Sequence, residues 1–310
     1  MNLQVIGPAA SIAWDDFFAK IRLKNENTAK AYERAVRQFL KWCEESSLNV
    51  QEVMIADVAR YFQQRSGSVS TKSQHLAAVR NFFRFYVERH LIMFNPAHGI
   101  KINREKLESV KTPIITGPEI KQLLSSIEPN SVVNFRDLAI MCIFQCTGQR
   151  EGAVATLRRR DFWDDGTQHI FTFRGKGNKV SNTPARHDLT LLLRAYLQMT
   201  GLEDAPPDAP LFPRAKWRNS GLTDKPMTGD LIYRMFKRRA RVAGIRSILS
   251  PHSFRVHVAT NLFEQGVPAE EIQGLLVHAD IKTTRGYFRT DVKIARNLVE
   301  RISAQLPTVG

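Results

Sequence analysis

Three cysteines in 310 residues are too few, and odd in number, for a disulfide framework. Two of them, Cys142 and Cys146, stand four apart in the apolar run "LAIMCIFQC", where free cysteine acts as a small core hydrophobe. No uninterrupted apolar stretch approaches the roughly 18 residues of a membrane span. The opening "MNLQVIGPAASIAWDD" lacks the basic start, apolar stretch and small-residue cleavage site of a secretory signal, so a cytoplasmic protein is expected. Familiar chemistry motifs are also missing. There is no HExxH and no paired CxxC, and His252 and His257, five apart, do not share a helix face, so no metal site is expected. "GKGNK" lacks the frame of an ATP-binding loop, and no GxSxG nucleophile turn occurs.

Acidic residues are in short supply. Asp and Glu number 30 against 45 Lys and Arg, a net charge of +15 that suits a polyanionic partner. The excess is 16 to 11 up to residue 110 and 29 to 19 beyond it, so the whole chain is basic and not merely a tail.

What is present reads as mainly α with a small β-sheet. "TAKAYERAVRQFLKWCEES" sets Ala31, Ala35, Val36, Phe39, Leu40 and Cys43 at helical spacing, and "QHLAAVRNFFRFYVERH" repeats the pattern. The intervening "RSGSVSTKS" reads as a loop. From Asn95 the chain changes character, and the charged "KINREKLESVKTP" predicts a linker over 101–112 between a helical unit at 8–100 and a second unit at 113–310. Thr116 and Glu119 form a capping box ahead of a helix, and a buried helix follows that ends at "CTG". "HIFTFRG" and "KVSNTPA" predict a hairpin around "KGN". Further helices are expected near 187–200 and 229–243, from Ser250, from Pro268 and from about 291, with "EDAPPDAPLFP" a surface loop.

Several polar residues follow helix ends or turns, where side chains can converge on a ligand. Arg150 stands just beyond the "CTG" helix end, and Lys176 at the hairpin tip. In "LSPHSFR" Ser250 is the N-cap and Pro251 the first helical residue, which sets His252 and Arg255 one turn apart at an anion-attracting helix start. His278 and Tyr287 complete the set. Taken singly, each has an ordinary reading: a helix-end arginine, a turn lysine, a capping histidine, a buried histidine, a half-buried tyrosine. The runs "LRRR" and "KRRAR" read as solvated charge. Together, two arginines, a lysine and two histidines would surround a phosphodiester, with tyrosine the obvious nucleophile. Its resting pKa of about 10 requires a base or a cationic setting, and the set supplies both.

The order Arg, Lys, His-x-x-Arg, His, Tyr resembles the tyrosine recombinase (phage integrase) family across nearly the whole chain. The matching pieces are "TGQR" with Arg150, "GKGNK" with Lys176, "SPHSFR" with His252 and Arg255, "LLVHAD" with His278 and "TTRGYFR" with Tyr287. The resemblance implies an N-terminal helical, SAM-like core-binding domain and a mixed α+β catalytic domain that close as a clamp on double-stranded DNA. It implies that Tyr287 attacks the scissile phosphate to give a 3′-phosphotyrosyl link, that Arg150, Arg255 and His278 hold the phosphate oxygens, that Lys176 protonates the leaving 5′-oxygen, and that His252 assists proton transfer. The link conserves bond energy, so no cofactor, metal or ATP is implied. The family's usual acidic residue three positions after the first arginine is absent: Ala153 stands there, with Glu151 one position after Arg150. Gln149 and Phe254 replace a usual apolar residue and a usual leucine.

Only a few residues precede Trp14, which favours a two-domain Xer-like or mobile-element recombinase over an integrase with an extra arm-binding domain. A relaxing topoisomerase of type IB and a non-catalytic DNA-binding protein are the alternatives. The segment "DVKIARNLVERISAQL" carries Ile294, Leu298 and Ile302 at four-residue steps, an apolar stripe that must dock, either on its own domain or on a neighbouring protomer. The partner expectation is therefore a homo-oligomer on DNA, a tetramer in the synapse, with a second recombinase as a further possible member.

Overall fold

In the computed structural model the chain forms two compact units, Met1–Val110 and Lys111–Gly310. The structure describes residues 8–23, 26–102, 115–175, 179–245 and 249–276. Among them no helix is long and apolar enough to cross a membrane.

The first unit is built from α1 (Pro8–Arg22), α2 (Glu26–Glu45), α3 (Ile55–Gln64) and α4 (Val69–Glu88). The helical spacing read in α2 is the buried stripe Ala35, Val36, Phe39, Leu40 and Cys43. It packs on Phe82, Phe83 and Tyr86 of α4, with Phe39 and Phe83 edge to face at 5.6 Å. The stretch read as a loop is mostly helix: Ser68 accepts from the Thr71 N–H at 3.1 Å and starts α4 at Val69. The chain after α4 is pinned to it. Arg80 donates to the carbonyls of Ala97 and Ile100, at 3.1 and 2.7 Å, and Ala97 is fully buried.

The second unit opens with α5 (Gly117–Ser125), started by the Thr116/Glu119 capping box. The next helix, α6 (Val132–Thr147), is apolar on nearly every side and runs through the centre of the core. A short α7 (Glu151–Ala155) leads to an antiparallel sheet of β1 (Phe162–Asp164), β2 (His169–Arg174) and β3 (Val180–Pro184), in that order. Phe162, Phe171, Phe173 and Thr183 share its buried face. Then come α8 (His187–Thr200), a second hairpin of β4 (Pro213–Ala215) and β5 (Leu222–Pro226), α9 (Gly229–Val242), α10 (Pro251–Glu264) and α11 (Ala269–Leu276).

Two packing features hold α6, α9 and α10 together. Phe236 of α9 stands edge to face between Phe144 of α6 and Phe254 of α10, at 5.2 and 5.4 Å, so the residue that replaces the family's leucine fills the junction of three helices. Charge ties α6 to α9 as well. Asp137, fully buried, accepts from Arg136, Arg238 and Arg239. "KRRAR" is thus not simply a solvated run: Arg239 is buried because the Asp137 carboxylate needs ionic partners in the core.

Candidate active site

The turn from α6 into α7 is built on Gly148. Its φ is +57°, and a Cβ there would meet Leu276 Cδ2 at 2.9 Å and Val258 Cβ at 3.3 Å. Glycine satisfies both the left-handed cap and the close approach of α10 and α11. Gln149 follows, buried, and then Arg150, the N-cap residue of α7, whose side chain is exposed.

The start of α10 supplies the next pair. Pro251 occupies the first helical position, and the Ser250 N–H donates to Ser253 Oγ at 3.2 Å. His252 and Arg255 lie one turn apart, as the spacing predicts, but in opposite settings. His252 is exposed, whereas Arg255 is 2% exposed. Arg255 Nη1 donates to the Gly148 carbonyl at 2.8 Å, and Nη2 donates to the Leu276 carbonyl. One guanidinium therefore joins the end of α6, the start of α10 and the end of α11. Gln149 Nε2 adds a bond to the Leu275 carbonyl at 3.2 Å. The last carbonyls of a helix have no partner within it, and these two side chains provide donors for two of them in succession. Nothing in residue type or spacing marks Gln149 for this work. The one available signal is a polar residue where the resembled family carries an apolar one.

The electrostatics draw the three described residues together. Partial burial first, then the guanidiniums of Arg255 and Arg150, hold the His252 imidazole below its ordinary pKa even though the residue is exposed. It is neutral near pH 7 and able to accept a proton, within a field that attracts anions. The Glu151 side chain lies against the start of α9. A Cβ on Gly229 would lie 3.4 Å from Glu151 Cγ, and burial with the Asp230 carboxylate raises the Glu151 pKa. Ala153 is buried in the core and its side chain offers no polar atom. Bracing of this junction comes from Gln149 and Arg255.

Lys176, His278 and Tyr287 lie outside the described residues. The strands on either side of Lys176 are joined as far as Gly175 and Lys179, with the Gly175 N–H donating to the Lys179 carbonyl at 2.8 Å. His278 follows the braced end of α11 by two positions. The segment that carries Ile294, Leu298 and Ile302 is outside the described residues too.

A model of the phage integrase family matches residues 113–293, and a model of the phage integrase N-terminal SAM-like domain matches residues 14–90. The tyrosine recombinase XerD of Listeria monocytogenes (serotype 4b, strain F2365) is 28% identical over 272 residues, which cover 84% of this chain and 87% of that protein. Two solved structures share the fold. XerH site-specific recombinase, bound to palindromic difH substrate in a post-cleavage complex, aligns with a TM-score of 0.70 at 20% identity, over 88% of this chain and 80% of that one. A lambda integrase (75–356) dimer bound to a COC′ core site aligns with a TM-score of 0.68 at 15% identity, over 96% and 98%.

Proposed function

The chain belongs to the phage integrase family as a tyrosine-type site-specific recombinase that cuts and rejoins DNA, and we propose that it does so through a 3′-phosphotyrosyl link on Tyr287. The Tyr287 hydroxyl attacks the scissile phosphorus, its proton passes to the neutral His252 imidazole, and the bond from phosphorus to the 5′-oxygen breaks. Lys176 delivers a proton to that leaving oxygen. Arg150, Arg255 and His278 hold the non-bridging oxygens, Arg150 from the open side and Arg255 from within the wall. Their contacts strengthen as charge builds on those oxygens, which is where catalysis gains most from fixed cations. Attack of a 5′-hydroxyl on the link reverses the step and rejoins the strand without a nucleotide.

One observation carries this reading. Gly148 and Arg255 hold two segments that are distant in sequence so that Arg150 and His252, both exposed, share one cationic field. Residues 8–100 serve as the core-binding domain, 101–112 as the linker and 113–310 as the catalytic domain. The working form is a homo-oligomer on duplex DNA, a tetramer in the synapse, in which the apolar stripe of residues 291–306 docks on the neighbouring protomer. Its substrate places it at the nucleoid.

The test is cleavage of a duplex carrying the chain's footprinted site, in EDTA and without nucleotide. Cutting is expected to proceed undiminished. Activity abolished by the chelator and restored by magnesium would replace this mechanism with a metal-dependent one.

A further inference from the structure

The β2–β3 hairpin that leads to Lys176 loses its apolar anchorage before it reaches that residue. Phe173 is the last buried residue of β2, and Val180, the partner of Arg174 across the hairpin, is 59% exposed. At Arg174 an ion pair takes over. Arg174 Nη1 donates to Asp161 Oδ1 at 2.6 Å, and Asp161 Oδ2 accepts from the Arg158 N–H at 2.9 Å. The Asp161 side chain is 2% exposed and that of Arg174 39%, so the carboxylate is enclosed and the guanidinium reaches it from the surface. Leaving an enclosed carboxylate without its donors is costly, which keeps the pair closed. Among the described residues this is the last side-chain tie before Lys176.

The carboxylate belongs to the segment that follows Arg150. From its N-cap at Arg150, α7 leads through the buried Leu157 to a 3-10 turn, Arg159–Asp161. Backbone bonds sew that turn to residues 207–211. The Arg159 and Arg160 N–H groups donate to the Ala209 and Pro207 carbonyls, at 2.9 and 3.0 Å, and the Leu211 N–H donates to the Leu157 carbonyl at 2.9 Å. Leu211 is fully buried, and its own carbonyl accepts from the Tyr196 hydroxyl at 2.9 Å. Asp161 is thus a fixed point in the chain between Arg150 and Lys176, and Arg174 fastens the end of β2 to it.

We propose that Arg174 is a positioning residue for proton delivery to the leaving 5′-oxygen, with Asp161 as its anchor. The ion pair fixes the strand end two residues before Lys176 relative to the segment that begins at Arg150, so the proton donor and a holder of the phosphate keep one spacing. In the step itself the bond from phosphorus to the 5′-oxygen breaks with its electron pair going to oxygen. The Lys176 ammonium passes a proton to that oxygen, and Arg174 exchanges nothing. Displacing the strand end lengthens the proton transfer and leaves the attack of Tyr287 unaltered. This rests on the reading of Lys176 as the proton donor.

The experiment measures single-turnover cleavage by the full chain on two saturating duplexes that carry the footprinted site, one with the ordinary scissile 5′-oxygen and one with sulfur in its place. A thiol is far more acidic than an alcohol, so a thiolate leaves without a donated proton. Arg174→Met, which keeps the stem and removes the donors, is expected to cut the oxygen duplex about 10- to 100-fold more slowly than the parent and the sulfur duplex at the parent's rate. Arg174→Lys, which restores a cation for Asp161, is expected to recover most of the loss. Equal slowing of both duplexes by Arg174→Met would overturn the proposal, because the arginine would then serve folding or phosphate binding. Should the methionine variant fail to fold, Arg174→Gln keeps a neutral donor beside Asp161 and is read by the same two rates. Lys176→Ala separates that failure from failure of the underlying reading. A sulfur duplex cut by it at the parent's rate upholds Lys176 as the proton donor, whereas equal slowing of both duplexes overturns that reading and the positioning role with it.

Discussion

Gln149 Nε2 donates to the Leu275 carbonyl at 3.2 Å, joining the residue before Arg150 to the end of the helix that leads to His278. Two segments assigned to the phosphate site therefore share a hydrogen bond made by neither assigned residue. Gln149→Leu keeps the volume and removes the donor, so a helix-end carbonyl loses its partner at a cost of about 1–2 kcal/mol. A fall in the melting temperature of roughly 2–6 °C is expected, with duplex affinity unchanged and cleavage reduced. Thermal unfolding and cleavage assayed together check this, and a variant identical to the parent in both would show that the bond positions nothing.

Arg150 and Arg255 separate under mutation although both are assigned to the phosphate. Arg150→Ala removes an exposed side chain, so folding should be unaffected while cleavage falls about 10²- to 10³-fold. Arg255→Ala leaves the Gly148 and Leu276 carbonyls without their guanidinium in the buried wall of the site, and should cost roughly 2–4 kcal/mol of stability in addition to activity. Comparing denaturant midpoints of the two variants with their cleavage rates tests the distinction. Equal destabilisation by both would contradict the placement of Arg150 at the surface.

His75 gives the first unit an acid sensitivity of its own. It is 4% exposed and shares a 3.0 Å hydrogen bond with the Tyr61 hydroxyl. Burial, and then the Arg65 guanidinium, lower its pKa to about 4. The unfolded chain takes up a proton near pH 6.5 that the native chain refuses until about pH 4. Stability from this source is complete above the unfolded pKa and is lost as pH falls across that window, by roughly 3 kcal/mol in all. Denaturant midpoints from pH 7 to 4.5 should decline in the parent and decline less steeply in His75→Gln. Parallel declines would assign the sensitivity to other groups.

Much of the scaffold is legible before any coordinates. Thr116 with Glu119, and Ser250 with Pro251, announce helix starts through local chemistry that tertiary packing has no reason to override. The β2–β3 hairpin follows from its β-branched and aromatic run. Other elements stay hidden for physical reasons. Five-residue α7 is too short to show a helical period. The β4–β5 hairpin begins on Pro213, the last residue of the proline-rich stretch read as a loop, and ends on Pro226, and no run of alternating apolar residues marks its two short strands. The start of α4 is missed because Ser68, the cap, sits within a serine-rich stretch. At the candidate site the residue types are legible, whereas the burial of Arg255, the bracing by Gln149 and the pairing of Arg239 with Asp137 depend on contacts between distant segments.

The central claim is that Tyr287 becomes covalently joined to DNA. A duplex carrying the footprinted site and a nick beside the cleavage position is incubated with the chain in EDTA, and the product is resolved by denaturing electrophoresis and peptide mass spectrometry. The account predicts a protein–DNA adduct whose modified peptide contains Tyr287, and no adduct from Tyr287→Phe, which still binds the duplex. An adduct of undiminished yield from Tyr287→Phe, or one that maps to another residue, would contradict it.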